Sequence, residues 1–314
     1  MPASKLGHTI VIANPASRSG KGERAVEIAT SLLEGNDAAT AGIQVLTTSG
    51  PGSAQELAAQ SADAETVIAL GGDGLVHDVV NGLMTIDKDV RPALGVMAIG
   101  SGNDYARTLG LTRNDPSTSL SELMTGTAVP LDLGLVNGTY FMETLSFGVD
   151  AAIALDTTKR RNSGSHTTGG NLYLSSGIRL FGQHTDGYTC HVSYDGGPTE
   201  DLRTIILAVQ LGPTYGGGFK ICPHASPADE LLDVCYNTYV PSVPKTLGLF
   251  LRARNGWHVG SDAVGFAACM SMTVDFDEQP PAQADGEEIV GTHFEISSVP
   301  GALKVIVPHE SPLI

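Results

Sequence analysis

Apolar and polar positions follow two different rhythms along this chain, and the rhythm changes near residue 128. Before that point, short apolar runs of strand length alternate with stretches in which apolar residues recur every three or four positions. The runs are "HTIVIAN", "IQVLTT", "TVIAL" and "ALGVMAI". Between them, "GERAVEIATSLLEG" carries Ala25, Ile28, Ala29, Leu32 and Leu33 at helical spacing and closes on Gly35, a helix stop. "GSAQELAAQ" predicts a shorter helix, and "LVHDVVNGLM" a third, with Leu75, Val79 and Leu83 beside Val76, Val80 and Met84. Strand and helix in alternation predict βαβ units and a parallel sheet, whose ligands bind at the carboxyl ends of the strands.

Beyond that point strand-like segments follow one another: "VPLDLGLV", "YFMETLSFGV", "YTCHVSY", "TIILAVQLG", "LLDVCYNTYV", "MSMTVDF", "HFEISS" and "LKVIVP". They predict an antiparallel second domain with helices only near residues 170 to 183 and 244 to 256. The Gly- and Pro-rich "GPTYGGGFKICPHASPADE" and the polar "DEQPPAQADGEE" read as loops. The predicted class is α/β followed by β, with a first domain over residues 1–130 and a second over 131–300.

Charge narrows the functions. Lys and Arg number 18 against 34 Asp and Glu, a net charge of -16 over 314 residues, which excludes a reader of duplex nucleic acid because such a protein needs basic surface to displace counterions. The local exception is Lys159, Arg160 and Arg161, either a solvated surface or a contact for an anionic substrate or membrane. No apolar run reaches the length of a spanning helix and the N-terminus lacks a signal-peptide pattern, so the expected location is cytoplasmic. Cys190, Cys222, Cys235 and Cys269 form no C-x-x-C pair and read as buried free thiols.

Three glycine-bearing turns follow three of the predicted parallel strands: "NPASRSGKG" at 14–22, "GGDG" at 71–74 and "GSGND" at 100–104. Glycine lets consecutive amides approach phosphate oxygens with no side chain in the way, and three such turns on one sheet edge point to phosphate binding. The standard motifs fail. The dinucleotide fingerprint begun at Gly72 meets His77 where its third glycine belongs, and a P-loop reading of "SRSGKG" finds Gly22 where the metal-binding hydroxyl belongs. Asp73 is the informative residue, since a carboxylate beside polyphosphate repels it unless a cation lies between. Mg2+ meets that need, and capping of the following helix is the alternative. Ser101, Asn103 and Asp104 supply hydrogen-bonding groups at another helix start, or a simple cap. In "ADGEE", Asp285, Glu287 and Glu288 form either an acidic hairpin turn or a site containing a general base.

Taken in order, "NPASRSGKG", "TTSGPGSAQELA", "GGDGLVHDVVNGL", "GVMAIGSGNDYARTLG", "LDLGLVNGTYFMETLSFGVDA", "GGNLYLSSGIRLF", "GGGFKICPHASPADELLDV" and "ADGEE" through "VPGALKVIVP" resemble the diacylglycerol kinase catalytic-domain family of lipid kinases, across nearly the whole chain. The resemblance implies an ATP-dependent kinase with an α/β nucleotide-binding domain, a β-sandwich lipid-substrate domain, an active site in the cleft between them, and a tail from about residue 300 to 314 that packs back on the first domain. It places Asn14, Thr47, Thr48, Gly71, Gly72, Gly74, Gly100, Ser101, Gly102 and Asn103 at the nucleotide. It puts Asp73 at the phosphates and metal, Asp285 as general base and Glu287 as its acidic partner. Asp229, with the carbonyls of Ser226 and Leu231, matches the loop that holds a structural magnesium in bacterial members. The chain departs from the family pattern at Leu75, His77 and Asp78, where Thr, Asn and Glu are usual, and at Glu230, where glycine is common.

The expected cofactors are therefore ATP and Mg2+, and the expected substrate is a hydroxyl lipid, diacylglycerol first and a sphingoid base or ceramide as alternatives. NAD kinase, which shares the GGDG turn, and a non-catalytic lipid or nucleotide sensor are the competing readings. Access to a lipid implies transient peripheral contact at the inner face of a membrane, through apolar residues and Lys159 to Arg161. A homodimer is the default oligomer.

Overall fold

The computed structural model describes residues 6–15, 17–34, 42–162, 169–180 and 186–314, with side chains left undescribed at 17–21, 161, 162, 169 and 170. The expected helix stop at Gly35, the Arg161 side chain and the last residues of the helix expected to 183 lie outside the described set. The chain divides into two compact units, one running to Leu131 and including Gly301–Ile314, the other Asp132–Pro300.

The first unit is built from β1 (His8–Ala13), α1 (Ser17–Glu34), β2 (Gly42–Thr47), α2 (Ser53–Ala59), β3 (Thr66–Gly71), α3 (Asp73–Leu83), β4 (Ala93–Ala98), α4 (Asp104–Leu109) and α5 (Pro116–Thr125). Its strands lie in the order β2-β1-β3-β4, all parallel. The register sets Ala13 against both Thr47 and Leu70, and Gly71 against Ala98, so the turns that follow all four strands gather at one end. Chain order reverses between β1 and β3, the switch point where such sheets open a crevice. β3 is buried at every position, as a parallel strand covered on both faces should be. α3 lies close against α2 because position 82 is glycine; a Cβ there would stand 2.3 Å from the Gln55 carbonyl.

Two sequence expectations change here. α1 begins at Ser17, not Gly22, so "SRSGKG" is the first turns of a helix instead of a loop. Its buried stripe is Ala25, Ala29 and Leu33, whereas Leu32 is exposed. α5, absent from the sequence reading, starts on Asp115, whose side chain accepts the Thr118 amide at 3.2 Å, with Pro116 in the first turn.

The second unit contains β5 (Thr127–Val136, shared with the first), β6 (Thr139–Phe141), β7 (Thr144–Gly148), α6 (Val149–Asn162), α7 (Gly169–Leu180), β8 (Tyr188–Tyr194), β9 (Glu200–Thr204), β10 (Ile206–Gln210), β11 (Leu232–Asn237), α8 (Val243–Ala253), β12 (Val264–Cys269), β13 (Ser271–Phe276), β14 (Ala282–Ala284), β15 (Glu287–Glu288) and β16 (His293–Val307). One sheet has the order β12-β11-β10-β7-β14-β15 and is antiparallel throughout. Antiparallel pairing also joins β9, β8, β13 and the first part of β16. A core of Leu145, Phe147, Leu207, Val209, Val274, Phe294 and Ile296 lies between these layers, with Phe147 and Phe294 ring centroids 4.8 Å apart. The opposite face of the six-stranded sheet packs on the three helices through Ile153, Tyr173, Phe219 and Phe250.

The expected single strand "YFMETLSFGV" is two strands and the start of α6. Gly148 takes φ +86, ending β7, and the Val149 amide turns to the Ile205 carbonyl at 2.9 Å. "HFEISS" and "LKVIVP" are one strand, β16, which gives residues up to Pro300 to this unit and those from Gly301 to the first.

Candidate functional site

At the carboxyl end of the first unit's sheet, the turns after β3 and β4 meet. An ideal Cβ on Gly100 would stand 2.6 Å from the Gly72 Cα, so position 100 accepts no side chain without a shift, and one on Gly72 would stand 3.3 Å from the Gly100 Cα, a tight contact. Asp73 Oδ2 accepts the Asn103 amide at 2.7 Å, and a Cβ at Gly102 would lie 2.8 Å from the same oxygen. Asn103 holds φ +54, a left-handed conformation that asparagine tolerates. Its Oδ1 accepts the Gly100 amide at 2.8 Å, and its Nδ2 donates to the Gly100 carbonyl at 3.1 Å. Asp73 and Asn103 thus tie two glycine turns together.

The N-cap of α3 is Gly72 and no side chain caps that terminus; Asp73 is turned to the Asn103 amide. An uncapped helix N-terminus above a strand end suits an anion, and Gly74 keeps its first turn bare. Ser101 Oγ is shielded from solvent and takes no hydrogen bond among the described residues. The Asn14 amide donates to the Leu70 carbonyl at 3.3 Å and the Thr48 amide to the Ala13 carbonyl at 2.9 Å, with Thr47 exposed beside it. All ten expected nucleotide residues therefore belong to strand ends, turns or first helical turns at this one sheet end. Arg107, which the sequence reading passed over, pairs with Asp104 and braces the Gly102 carbonyl at 3.4 Å. The departures from the family pattern lie below the turn: Leu75 and His77 are buried, and Asn81 Nδ2 contacts His77 Nε2 at 3.3 Å.

The second unit fixes the other carboxylate. β14 and β15 pair Ala284 with Glu287, leaving Asp285 and Gly286 as a two-residue hairpin loop. Their φ values, +50 and +96, are those of a type I′ turn, for which Asp-Gly is the favoured pair. Asp285 Oδ2 accepts the Met142 amide at 2.9 Å, and Oδ1 accepts the Glu143 and Thr144 amides at 3.0 Å each. Glu287 and Glu288 are exposed on β15. The hairpin also forms one wall of a cleft of about 450 Å³, lined by Lys159, Leu180, Tyr188, Glu288 and Ile289 among others. Lys159 is exposed; Arg160 is directed instead to Ser175 and Ser176 Oγ at 2.8 and 2.9 Å.

The loop expected to hold a structural metal spans Ser226 to Leu231. Glu230 takes φ +69, the conformation that makes glycine common there, and its amide donates to Asp132 Oδ2 at 2.7 Å. Asp229 Oδ1 accepts the Leu231 amide at 3.1 Å, and Ser226 sits two residues before Ala228 in the same loop. Carboxylate and carbonyl oxygens are the hard donors that Mg2+ prefers, so the donor chemistry fits. Among the described residues, no cluster of three or more His, Cys, Asp or Glu side chains is arranged to hold a metal, so any such site depends on backbone carbonyls.

One feature escaped the sequence reading. Asp150 is buried on α6, and Tyr173 Oη donates to its Oδ1 at 2.5 Å. Burial pushes the Asp150 carboxyl pKa up, opposed by hydrogen bonds from Tyr173, Tyr215 and Ser146. Asp150 and Tyr215 line a cavity of about 60 Å³ whose other walls include Ile206, Leu249, Phe250, Cys235 and His258. The Cys235 thiol is drawn down to about 7, first by its hydrogen bond with Cys222 and then by His258. The available signal was a lone carboxylate within the apolar run "SFGVDAAIAL".

Two solved structures share this plan. A diacylglycerol kinase from Bacillus anthracis superposes with a TM-score of 0.80 at 19% identity, over 98% of this chain and 99% of that one. Yeast NADH kinase complexed with NADH superposes at 0.54 with 11% identity, over 98% and 85%. These likenesses define the fold, an α/β unit with glycine turns at its strand ends and an antiparallel β unit. The diacylglycerol kinase catalytic domain matches residues 8–136, and the YegS C-terminal NAD kinase beta sandwich-like domain matches residues 143–307. Among curated relatives, a probable lipid kinase YegS-like of Pseudomonas aeruginosa is 30% identical over 253 residues, covering 79% of this chain and 78% of that protein. The diacylglycerol kinase of Bacillus subtilis is 28% identical over 223 residues, 71% of each. The chain belongs to the diacylglycerol kinase catalytic-domain family.

Proposed function

We propose that this protein is an ATP-dependent lipid kinase that transfers the γ-phosphate of ATP to a lipid hydroxyl, with diacylglycerol as substrate and phosphatidic acid as product. The observation that carries the reading is the pair of glycine turns tied by Asp73 and Asn103 at the end of a parallel sheet, in a chain of this family. Asn14, Thr47, Thr48, Gly71, Gly72, Gly74, Gly100, Ser101, Gly102 and Asn103 take the nucleotide, with the uncapped start of α3 toward its phosphates.

Asp73 is the residue that would hold Mg2+ at the phosphates, and Asp229 with the Ser226 and Leu231 carbonyls would hold a structural one. Mg2+ supplies positive charge that offsets charge on the phosphoryl oxygens. Asp285 accepts the proton of the lipid hydroxyl as that oxygen bonds to the γ-phosphorus and the bond to the ADP oxygen breaks. Three amides hold its carboxylate in one orientation, as a positioned base requires, and Glu287 adds negative charge on the same hairpin.

Those amides also make Asp285 a structural tie, so turnover has to be read beside stability. The test is transfer of labelled phosphate from ATP into a panel of hydroxyl lipids, with NAD in parallel, for the parent and Asp285→Asn. Loss of turnover by about 10²-fold or more, at near-parental thermal stability and ATP affinity, is the expected result. Retained turnover removes Asp285 from the chemistry, and label in NAD but in no lipid replaces the lipid reading with NAD kinase.

A further inference from the structure

The exposed apolar side chains of the second unit are concentrated in one stretch. Val243, Leu251, Trp257, Val259, Phe266 and Met270 are each more than 40% exposed, Trp257 reaching 66%. They are neighbours by structure as well as by sequence. Val243 and Leu251 stand two helical steps of four apart on the outer side of α8. The turn after α8 carries Trp257, whose amide donates to the Arg252 carbonyl at 3.0 Å. Phe266 approaches His258, between Trp257 and Val259, with ring centroids 5.9 Å apart. Phe266 is exposed on β12, the edge strand of its sheet, and Met270 is exposed immediately after that strand's last residue, Cys269.

Charge sets this stretch of the chain apart, although Asp195, from the turn after β8, accepts the Met270 amide at 2.9 Å at its edge. Between Asp233 and Asp275 the sequence holds a single acid, Asp262, in a chain of net charge -16. Asp262 is engaged by Lys245 at 2.7 Å. Arg252 and Arg254 are exposed on the last turn of α8 and just beyond it, and Lys220 is exposed next to Gly256 at the base of the Trp257 turn. Exposed apolar groups, a tryptophan and basic residues on an amphipathic helix and the turn that follows it are the composition of a surface that lies in the headgroup layer of an anionic bilayer.

We infer that α8 and the turn bearing Trp257 dock this protein onto anionic phospholipid bilayers. The inference deepens the lipid-kinase reading and rests on it for its purpose, because the inner side of α8, through Leu249, Phe250 and Ala253, lines the cavity that also contains Asp150. Docking by this face sets that cavity one helix away from the membrane. The basic run at 159–161 is a weaker anchor, since Arg160 is tied to Ser175 and Ser176.

Trp257 is the chain's one tryptophan, so its fluorescence reports this face alone. Full-length protein is mixed with vesicles of phosphatidylcholine, or of phosphatidylcholine with phosphatidylglycerol, each with and without brominated acyl chains. The expected result is a blue shift and bromine quenching on the anionic vesicles, weakening as salt is raised. R252E/R254E is expected to lower vesicle affinity by roughly thirtyfold or more, taking each base near an anionic surface as worth about fivefold. The same double variant keeps parental activity on detergent-dispersed lipid and loses it on vesicle-embedded lipid. L251D weakens quenching while leaving the tryptophan in place.

An unshifted, unquenched Trp257 on every vesicle overturns the inference. So does equal binding by R252E/R254E, or a blue shift that follows protein concentration without vesicles, which would make the face a contact between two copies of this chain. The fluorescence reading needs no turnover. A protein that binds vesicles yet phosphorylates no lipid would sink the kinase reading and leave the docking surface standing.

Discussion

At the scale of single residues, Asn103 ties together the two glycine turns of the proposed nucleotide site. Its own amide reaches Asp73, its side-chain oxygen and nitrogen close a ring with Gly100, and its backbone adopts φ +54. Asn103→Ala removes both side-chain bonds and puts alanine where left-handed backbone is unfavourable. We expect a loss of about 2 kcal/mol in stability, from the unpaired Gly100 amide and the backbone penalty together. ATP should also protect the variant less than the parent against thermal unfolding, and equal protection would show that the ring is not part of the nucleotide site. Which residues matter here was legible in the spacing of "GGDG" and "GSGND". That Asp73 bonds the Asn103 amide, thirty positions away, was not, because only strand register brings the two turns together.

At the scale of elements, the second unit carries a row of alternating acids and histidines across four strands. Asp201 on β9 faces His191 on β8, which faces Asp275 on β13, which faces His293 on β16. His191 Nδ1 lies 2.7 Å from Asp201 and its Nε2 3.2 Å from Asp277, while His293 Nδ1 lies 2.7 Å from Asp275. Hydrogen bonds to these carboxylates, Asp201 first for His191 and Asp275 for His293, raise both histidine pKa values. A raised pKa means the folded state holds the proton more tightly than the unfolded chain. The stabilisation is therefore fully present below about 6.5, the unfolded value, and fades as pH rises through the folded one. Replacing both histidines by asparagine should lower the thermal midpoint at pH 5.5 and change it little at pH 8.5. An equal shift at both values would show that the row is not titrating. The segments of β8, β13 and the start of β16 were readable as strands and β9 was not, and the cross-strand row depends on register, which period alone does not set.

At the scale of the whole molecule, chain order and compact units do not coincide. The first unit's sheet takes its last strand from the C-terminal part of β16, where Val305 pairs in parallel with Leu94. Leu303, Val305 and Val307 are buried there, and Arg91 Nη1 donates to the Ala302 carbonyl at 2.7 Å. Ending the chain at Pro300 removes three buried branched side chains, each worth about 2 to 5 kcal/mol, against a typical domain stability of about 5 to 15. Circular dichroism and ATP binding on such a truncation should show a first unit that no longer folds cooperatively. A cooperative, ATP-binding truncation would mean that the preceding segment folds without its final strand. By sequence, "HFEISS" and "LKVIVP" read as separate strands on either side of Pro300 and Gly301. In the structure that point is the place where one strand passes between units, with Gly301 at φ +53.

By itself, the sequence determined the alternation of strands and helices as far as β4, the placing of the GGDG and GSGND turns at strand ends, and the Asp285-Gly286 turn. These are local properties: side-chain period, backbone freedom of glycine and turn preference act within a few residues. Tertiary structure alone decided that "SRSGKG" is helical, because Gly22 packs where a Cβ would stand 2.3 Å from the Asn14 carbonyl. It alone decided that Asp150 is buried against Tyr173 and that three amides from residues 142 to 144 hold Asp285. It also gathered scattered apolar residues from α8 and β12 onto one basic face. Each of these depends on groups far apart in the chain, and their free energies exist only once the packed layers bring those groups within contact distance.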